Sequence, residues 1–293
     1  MSVNTRSILI AVVLVIVAGG IGISIQNSEP QSPVRIVTGP FFAHQILAYP
    51  LENELVKPQT GVVIENTVDH NEHMVAGGGD IGEMSTAAFA IAYEKGIPLK
   101  AAYIYISHHG LNSGEGVARV YARKDSDIFT PEDLKGKKVG VPGLKTTSTT
   151  IFLEMLKRGY GINEADIELV DKASPLLPTL LDSGDIDASL MLGDVSVKTY
   201  YSDKYRVIWN VDEAFKDEYG EYTPASLLVV NSDFFEEHQD QAEAVINDLI
   251  QSKSYGEAHM DEICEWYAEE FGGTADYYKT AYCNHYSVSL TPI

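Results

Sequence analysis

The sequence predicts an α/β protein of two lobes, each a mixed, mostly parallel sheet flanked by helices, with a two-strand hinge between them. Three observations carry this. Short apolar strands alternate with amphipathic helices, the pattern of parallel β-α-β units. The order strand, Gly/Pro loop, helix, strand, short helix, Gly-Asp-Ile turn, strand, polar loop occurs twice, around Gly79-Asp80-Ile81 and Gly184-Asp185-Ile186. Two extended apolar segments, Gly116–Lys124 and Pro224–Asn231, follow the first and second runs, as the crossings of a hinge must.

Taken in order, Arg6 precedes Ile8–Ile25, an uncharged apolar run. At about 18 residues it is borderline for crossing a bilayer, so residues 1–26 read as a signal peptide or an N-terminal membrane anchor. No Ala-x-Ala site stands out and no cysteine follows to take a lipid, which favours the anchor. Residues 27–33 form a polar spacer. Arg6 on one side and an acidic remainder on the other place the globular part outside the cytoplasm.

Lobe 1 is expected to comprise 34–123 plus 225–293, and lobe 2 residues 124–224. In lobe 1, Val34–Val37 reads as a strand, Phe41–Leu55 as a helix and Val62–Val68 as a strand. Ser85-Thr86 caps the small-residue helix Ala87–Lys95, and Leu99–Ile106 is the next strand. In lobe 2, strand Val139–Val141 leads through Pro142-Gly143 into a helix over Ser148–Arg158. Ile151, Phe152, Met155 and Leu156 form its apolar face. A strand near Ile167–Val170, a short helix Leu176–Leu181 and the apolar run Ser189–Leu192 follow. Three helical stretches, Asp233–Tyr255, Met260–Glu270 and Ala275–Tyr286, pack back on lobe 1.

Ligands in parallel α/β sheets lie at the carboxyl ends of the strands. Loops 38–44, 84–86, 107–114, 143–149 and 192–196 should therefore line one cleft. Within Lys145-Thr146-Thr147-Ser148-Thr149, Thr147 or Ser148 is a good N-cap, and the spare first-turn N–H groups with Lys145 form a cradle for an anion. Phe41, Phe42, Tyr105 and Tyr222 could supply flat walls. Asp194 could accept from an amine or ring N–H, which opposes the anion cue. His108 and Asn112 belong to the third loop.

Composition narrows the function. The chain has 293 residues, 45% hydrophobic, with a formal charge of −21. Such a charge repels phosphate backbones and excludes nucleic acid as a partner. No Gly-x-Ser-x-Gly, His-Glu-x-x-His or P-loop motif is present, so no enzyme is expected and no cofactor. His70-x-x-His73 and His108-His109 could supply metal ligands, which opens a metal-transport alternative. Cys264 and Cys283, the two cysteines, are expected to form a disulfide between consecutive helices.

Asp133–Gly143 (DLKGKKVGVPG), Gly77–Lys100 (GGGDIGEMSTAAFAIAYEKGIPLK) and Ser183–Asp194 (SGDIDASLMLGD) resemble, in that order, segments of type 2 periplasmic solute-binding proteins. The branch resembled serves ABC importers of nitrate, sulfonates, bicarbonate and thiamine pyrimidine precursors, and the resemblance spans nearly all of 34–293. It implies a monomer that closes on a small solute and docks on a membrane permease and its ATPase. It implies ligand contacts at Thr38, Gly39, Phe41, Phe42 and His44, at Ser85 and Thr86, and at Lys145, Thr146, Thr147, Ser148 and Thr149. Two further alternatives are a membrane-tethered solute sensor and an enzyme like the fungal thiamine-pyrimidine synthase, whose cysteine-rich motif is not found here.

Overall fold

In a computed structural model, residues 32–110, 116–144 and 146–293 are described. Expectations for residues 1–31, Asn112 and Lys145 lie outside them. Residues 33–293 form one compact unit.

The first sheet is built on β1 (Val34–Thr38), which is parallel to β2 (Val62–Asn66) on one side and to β3 (Ile81–Ser85) on the other. Beyond β3 lie β10 (Pro224–Asn231), β4 (Leu99–Ser107) and β11 (Ser287–Pro292), giving the order β11-β4-β10-β3-β1-β2. The second sheet has the order β7-β6-β8-β5-β9. Its strands are β5 (Arg119–Arg123), β6 (Lys138–Val141), β7 (Glu168–Asp171), β8 (Ala188–Met191) and β9 (Tyr205–Asn210). β5 is antiparallel to β8 and β9. Residues 119–123, expected in lobe 1, therefore belong to the second sheet.

Helices fill the crossovers. In the first layer these are α1 (Phe42–Glu52), α2 (His70–Val75) and α3 (Thr86–Glu94). In the second they are α4 (Thr147–Tyr160), α5 (Leu177–Ser183), α6 (Gly193–Tyr200) and α7 (Val211–Tyr219). The expected helix Asp233–Tyr255 is broken at His238 into α8 (Ser232–Glu237) and α9 (Gln239–Ala258). α10 (Met260–Phe271) and α11 (Ala275–Asn284) complete the chain before β11. α6, β9, α7 and β11 were not read from the sequence. Among the described residues no helix is long and apolar enough to cross a membrane.

α9 docks on α1 because Gly256 leaves room for it. A Cβ there would meet Ile46 O at 2.4 Å, and Ser252 Oγ donates to Leu47 O one turn earlier (2.6 Å). Phe42, Ile46 and Leu47 then join Val245, Leu249, Tyr267, Tyr278 and Tyr282 in the first core. Phe42 is fully buried among three tyrosine rings at 5.2, 5.2 and 6.1 Å, so it is a core residue and not a wall of the cleft. Burial of such a ring contributes about 1.5–3 kcal/mol.

The expected disulfide is not formed: Cys264 on α10 and Cys283 on α11 are free thiols. Cys264 is fully buried in the first core, and burial pushes its thiol up to about 12. Thiolate, the form that reacts to make a disulfide, is scarce at such a site.

Candidate functional site

Two helix starts, one from each sheet, meet where the carboxyl ends of the strands converge. β3 runs directly into α3, and Ser85 caps it by accepting from Ala88 N (3.2 Å). Thr86 Oγ1 donates to Pro224 O (2.6 Å), tying this turn to the β10 crossing. On the other side, Gly143 has φ +103°, a turn that favours glycine, and sends the chain from β6 into α4. The cap there is Thr146, one residue earlier than expected. Its Oγ1 accepts from Thr149 N (3.3 Å) and its hydroxyl donates to Thr149 Oγ1 (3.0 Å). That leaves the Thr147 hydroxyl free to reach across, and Ala87 N donates to Thr147 Oγ1 at 2.9 Å. Ser148 and Thr149 are buried beneath this contact.

A second bridge is made by Asp194 in the first turn of α6. Tyr286 donates its phenol to Asp194 Oδ1 (2.7 Å) and Tyr277 donates to Asp194 O (2.8 Å). Burial pushes the Asp194 carboxyl above its ordinary value, although the Tyr286 hydrogen bond and the Lys198 charge oppose it. Lys198 itself lies 5.5 Å from the Tyr277 ring. In sequence Asp194 stood out as an acceptor, but its two tyrosine partners lie in a stretch to which the sequence assigned only helix and core.

The crossing is pinned by Asp212 at the start of α7. Its Oδ2 accepts from Val117 N (2.9 Å) and Ala118 N (2.7 Å), and His108 Nδ1–H donates to its Oδ1 (3.0 Å). His108 is therefore held at this crossing by Asp212. Tyr222 lies beside it in the fold, its ring 5.0 Å from that of His109, its phenol donating to Glu213 (2.8 Å) and accepting from Lys216 (3.0 Å). Nearby, Arg119 Nη2 contacts His285 Nδ1 (3.2 Å). Burial and then the Arg119 charge drive the His285 pKa down to about 4.

The loop after β1 lies over a buried polar group. Thr38 ends the strand beneath the surface, while Phe41 is half exposed, its ring edge-on to His44 at 5.5 Å. His44 Nδ1 donates to Gly39 O (3.0 Å), and His44 Nε2 points at Glu83 (3.8 Å). His70 Nε2 reaches the same Glu83 oxygen at 2.8 Å. Tyr105 packs on His44 at 5.6 Å and its phenol faces Thr38, so it is part of this buried group and not an open wall.

The histidine pairs considered for metal do not converge. His70 faces Glu83, His73 faces Glu65 (3.4 Å) and His108 faces Asp212. Among the described residues no group of three or more His, Cys, Asp or Glu is arranged to hold a metal.

Two mixed sheets flanked by helices, with helix starts facing across their strand ends, make the fold of the periplasmic binding proteins. The aliphatic sulphonate binding protein SsuA of Escherichia coli superimposes with a TM-score of 0.70 at 15% identity, covering 88% of this chain and 86% of that one. The alkanesulfonate-binding protein SsuA of Xanthomonas axonopodis pv. citri, bound to MOPS, gives 0.68 at 16% identity, covering 89% and 88%. The model of the NMT1/THI5-like family matches residues 62–262, and the chain belongs to that family.

Among curated proteins, the taurine-binding periplasmic protein of E. coli K12 is 23% identical over 180 residues, 61% of this chain and 52% of that protein. A 4,5-dihydroxyphthalate decarboxylase of Comamonas testosteroni is 33% identical over 92 residues, 31% of this chain and 26% of the enzyme. The chain thus matches about half or less of each of these curated relatives.

Proposed function

We propose that this chain is the extracytoplasmic solute-binding component of an ABC importer, and that it catalyses no reaction. The two sheets act as two lobes that close on a small organic or oxyanionic solute and deliver it to a membrane permease. The observation that carries this reading is the Ala87–Thr147 contact: a helix start on each side of the cleft, each with first-turn N–H groups. Two positive helix ends brought face to face suit an anionic group between them. The sulfonate-binding names of the structural neighbours, and the taurine-binding relative, put a sulfonate first among the candidates. Nitrate, bicarbonate and a thiamine pyrimidine precursor follow. Thr38, Gly39, Phe41, Ser85, Thr86 and Thr146–Thr149 are the proposed contacts.

The test is a thermal-shift screen of the purified chain with taurine, alkanesulfonates, nitrate, bicarbonate and aminopyrimidines, followed by calorimetry. A ligand at 100 times its Kd stabilises the native state by about 2.7 kcal/mol, which a melting curve resolves. A screen in which no member raises Tm, with calorimetry equally silent, overturns the proposal.

A further inference from the structure

The topology of the second sheet brings Asp194 beside the start of α4. β6 and β8 are parallel neighbours, with Val139 beside Ala188 and Gly140 beside Ser189. The chain leaves them in opposite directions across the sheet, through α4 to β7 next to β6, and through α6 to β9 beyond β5. Such a reversal opens a crevice at the carboxyl ends of the two strands, where α/β sheets take their ligands. Neighbouring strands lie about 4.8 Å apart. The start of α4, with Thr146 and Thr147, and the start of α6, with Asp194, therefore flank the same narrow crevice.

The Asp194 carboxylate is only half used. Its Oδ1 accepts from Tyr286 (2.7 Å), whereas Oδ2 has no hydrogen-bond partner among the described residues and reaches solvent. Lys198, one turn along α6, is turned to the Tyr277 ring at 5.5 Å and makes no ion pair with this carboxylate. A wall of phenols stands beside it. Tyr277 donates to Asp194 O (2.8 Å), and its ring lies 5.1 Å from that of Tyr278. Tyr278 in turn lies 4.7 Å from Tyr267, which donates to Pro40 O (3.0 Å) in the loop after β1. Burial, and then the Asp194 charge, pushes the phenols of Tyr267, Tyr277, Tyr278 and Tyr286 up, so all four stay neutral. An open carboxylate oxygen can only accept, and the faces of neutral aromatic rings attract positive charge.

We propose that Asp194 Oδ2 receives a protonated nitrogen of the solute, and that the solute is a short zwitterion whose anionic end lies at the starts of α3 and α4. This rests on the solute-binding reading and narrows it. A simple sulfonate, nitrate or bicarbonate brings no positive charge to Oδ2 and sets its own charge against that of the carboxylate. The anion cue at Thr146–Thr149 and the amine cue at Asp194 cease to oppose each other once they belong to the two ends of one molecule.

The experiment is calorimetry on the full chain at neutral pH with matched pairs that differ only in the amine: taurine and ethanesulfonate, homotaurine and propanesulfonate, β-alanine and propionate. The expected result is that the amino member of at least one pair binds about 10- to 100-fold more tightly than its partner, the worth of a charged hydrogen bond. Asp194→Asn keeps an acceptor for Tyr286 but turns an N–H towards the ammonium, so that ratio should fall to about one or below. Both members of a pair need the same closure, so a change in closure cancels in the ratio. Asp194→Ser is read in the same way if the first variant does not fold. A wild-type ratio near one in every pair that binds, or a ratio that survives the substitution, overturns the zwitterion and leaves the solute-binding reading standing. Silence from every member of every pair overturns both.

Discussion

Ala87 and Thr147 are sixty residues apart and start helices that belong to different sheets, yet the amide of one donates directly to the hydroxyl of the other at 2.9 Å. The cross-cleft contact uses a side chain that is not needed as a cap, because Thr146 already serves α4. The contact with α3 and the capping of α4 are thus assigned to adjacent threonines, and the proposed closure can be separated from capping by mutation.

Thr147→Val keeps the β-branched shape and removes the acceptor. A hydrogen bond worth about 1 kcal/mol shifts a closed-to-open ratio about fivefold. Small-angle scattering should show a larger radius of gyration for the unliganded variant, with Tm little changed. Thr146→Val should do the reverse, costing about 1 kcal/mol of stability through the lost cap.

Asp194 should give the proposed closure a pH dependence, its sign set by burial of the carboxyl. Its carboxyl is held above its ordinary value of 3.8 by burial beside Tyr286, and an opening of the proposed kind would return it to water. Closure therefore takes up a proton between the ordinary and the raised value, and the closed form gains as pH falls through that window. Asp194→Asn retains an acceptor for Tyr286 and should abolish the dependence. An interlobe fluorescence-transfer titration from pH 7 to pH 4 would follow both proteins.

His285 acts on stability in the opposite direction. Its pKa is driven from 6.5 to about 4, so the unfolded chain takes up the proton first on acidification. Urea midpoints should fall as pH drops from 6.5 towards 4. His285→Gln should flatten that limb of the profile.

Asp212 holds the crossing with three accepted hydrogen bonds. Removal of the carboxylate in Asp212→Ala leaves two buried amides and His108 without it, and should cost about 3–5 kcal/mol. Denaturant unfolding measures this directly. Phe42→Ala should cost a similar 3–5 kcal/mol from the core, with little change in ligand affinity where the fold survives.

Much of the architecture was written in local pattern. β10 is observed over the residues expected for it, Pro224–Asn231, because eight residues bounded by a proline and an asparagine, with an apolar centre, have few alternatives. α6 and α7 are not legible in the sequence because each is short and begins with a polar or acidic turn that reads as loop. The Thr146–Thr149 helix start was legible from its hydroxyls and the preceding Pro-Gly. Its partner at Ala87 was not, since a backbone amide carries no side-chain signal. Glu83 lies in the segment Gly77–Lys100, where nothing local announces that two histidines, thirteen and thirty-nine residues earlier, lie against it.

The position of β10 sets the order in which the molecule can be completed. It is antiparallel to both β3 and β4, filling the gap between strands from the beginning of the chain. Until residue 231 has emerged, the first sheet is a β3-β1-β2 piece and a lone β4, whereas the five-stranded sheet already holds all its strands by residue 210. The lobe synthesised first is thus finished last, and its open edges are exposed throughout synthesis of the other lobe. Such edges invite pairing with foreign strands. Refolding should accordingly show an early phase confined to the second sheet and a slower, aggregation-prone phase that ends when β10 has inserted and β11 has paired with β4.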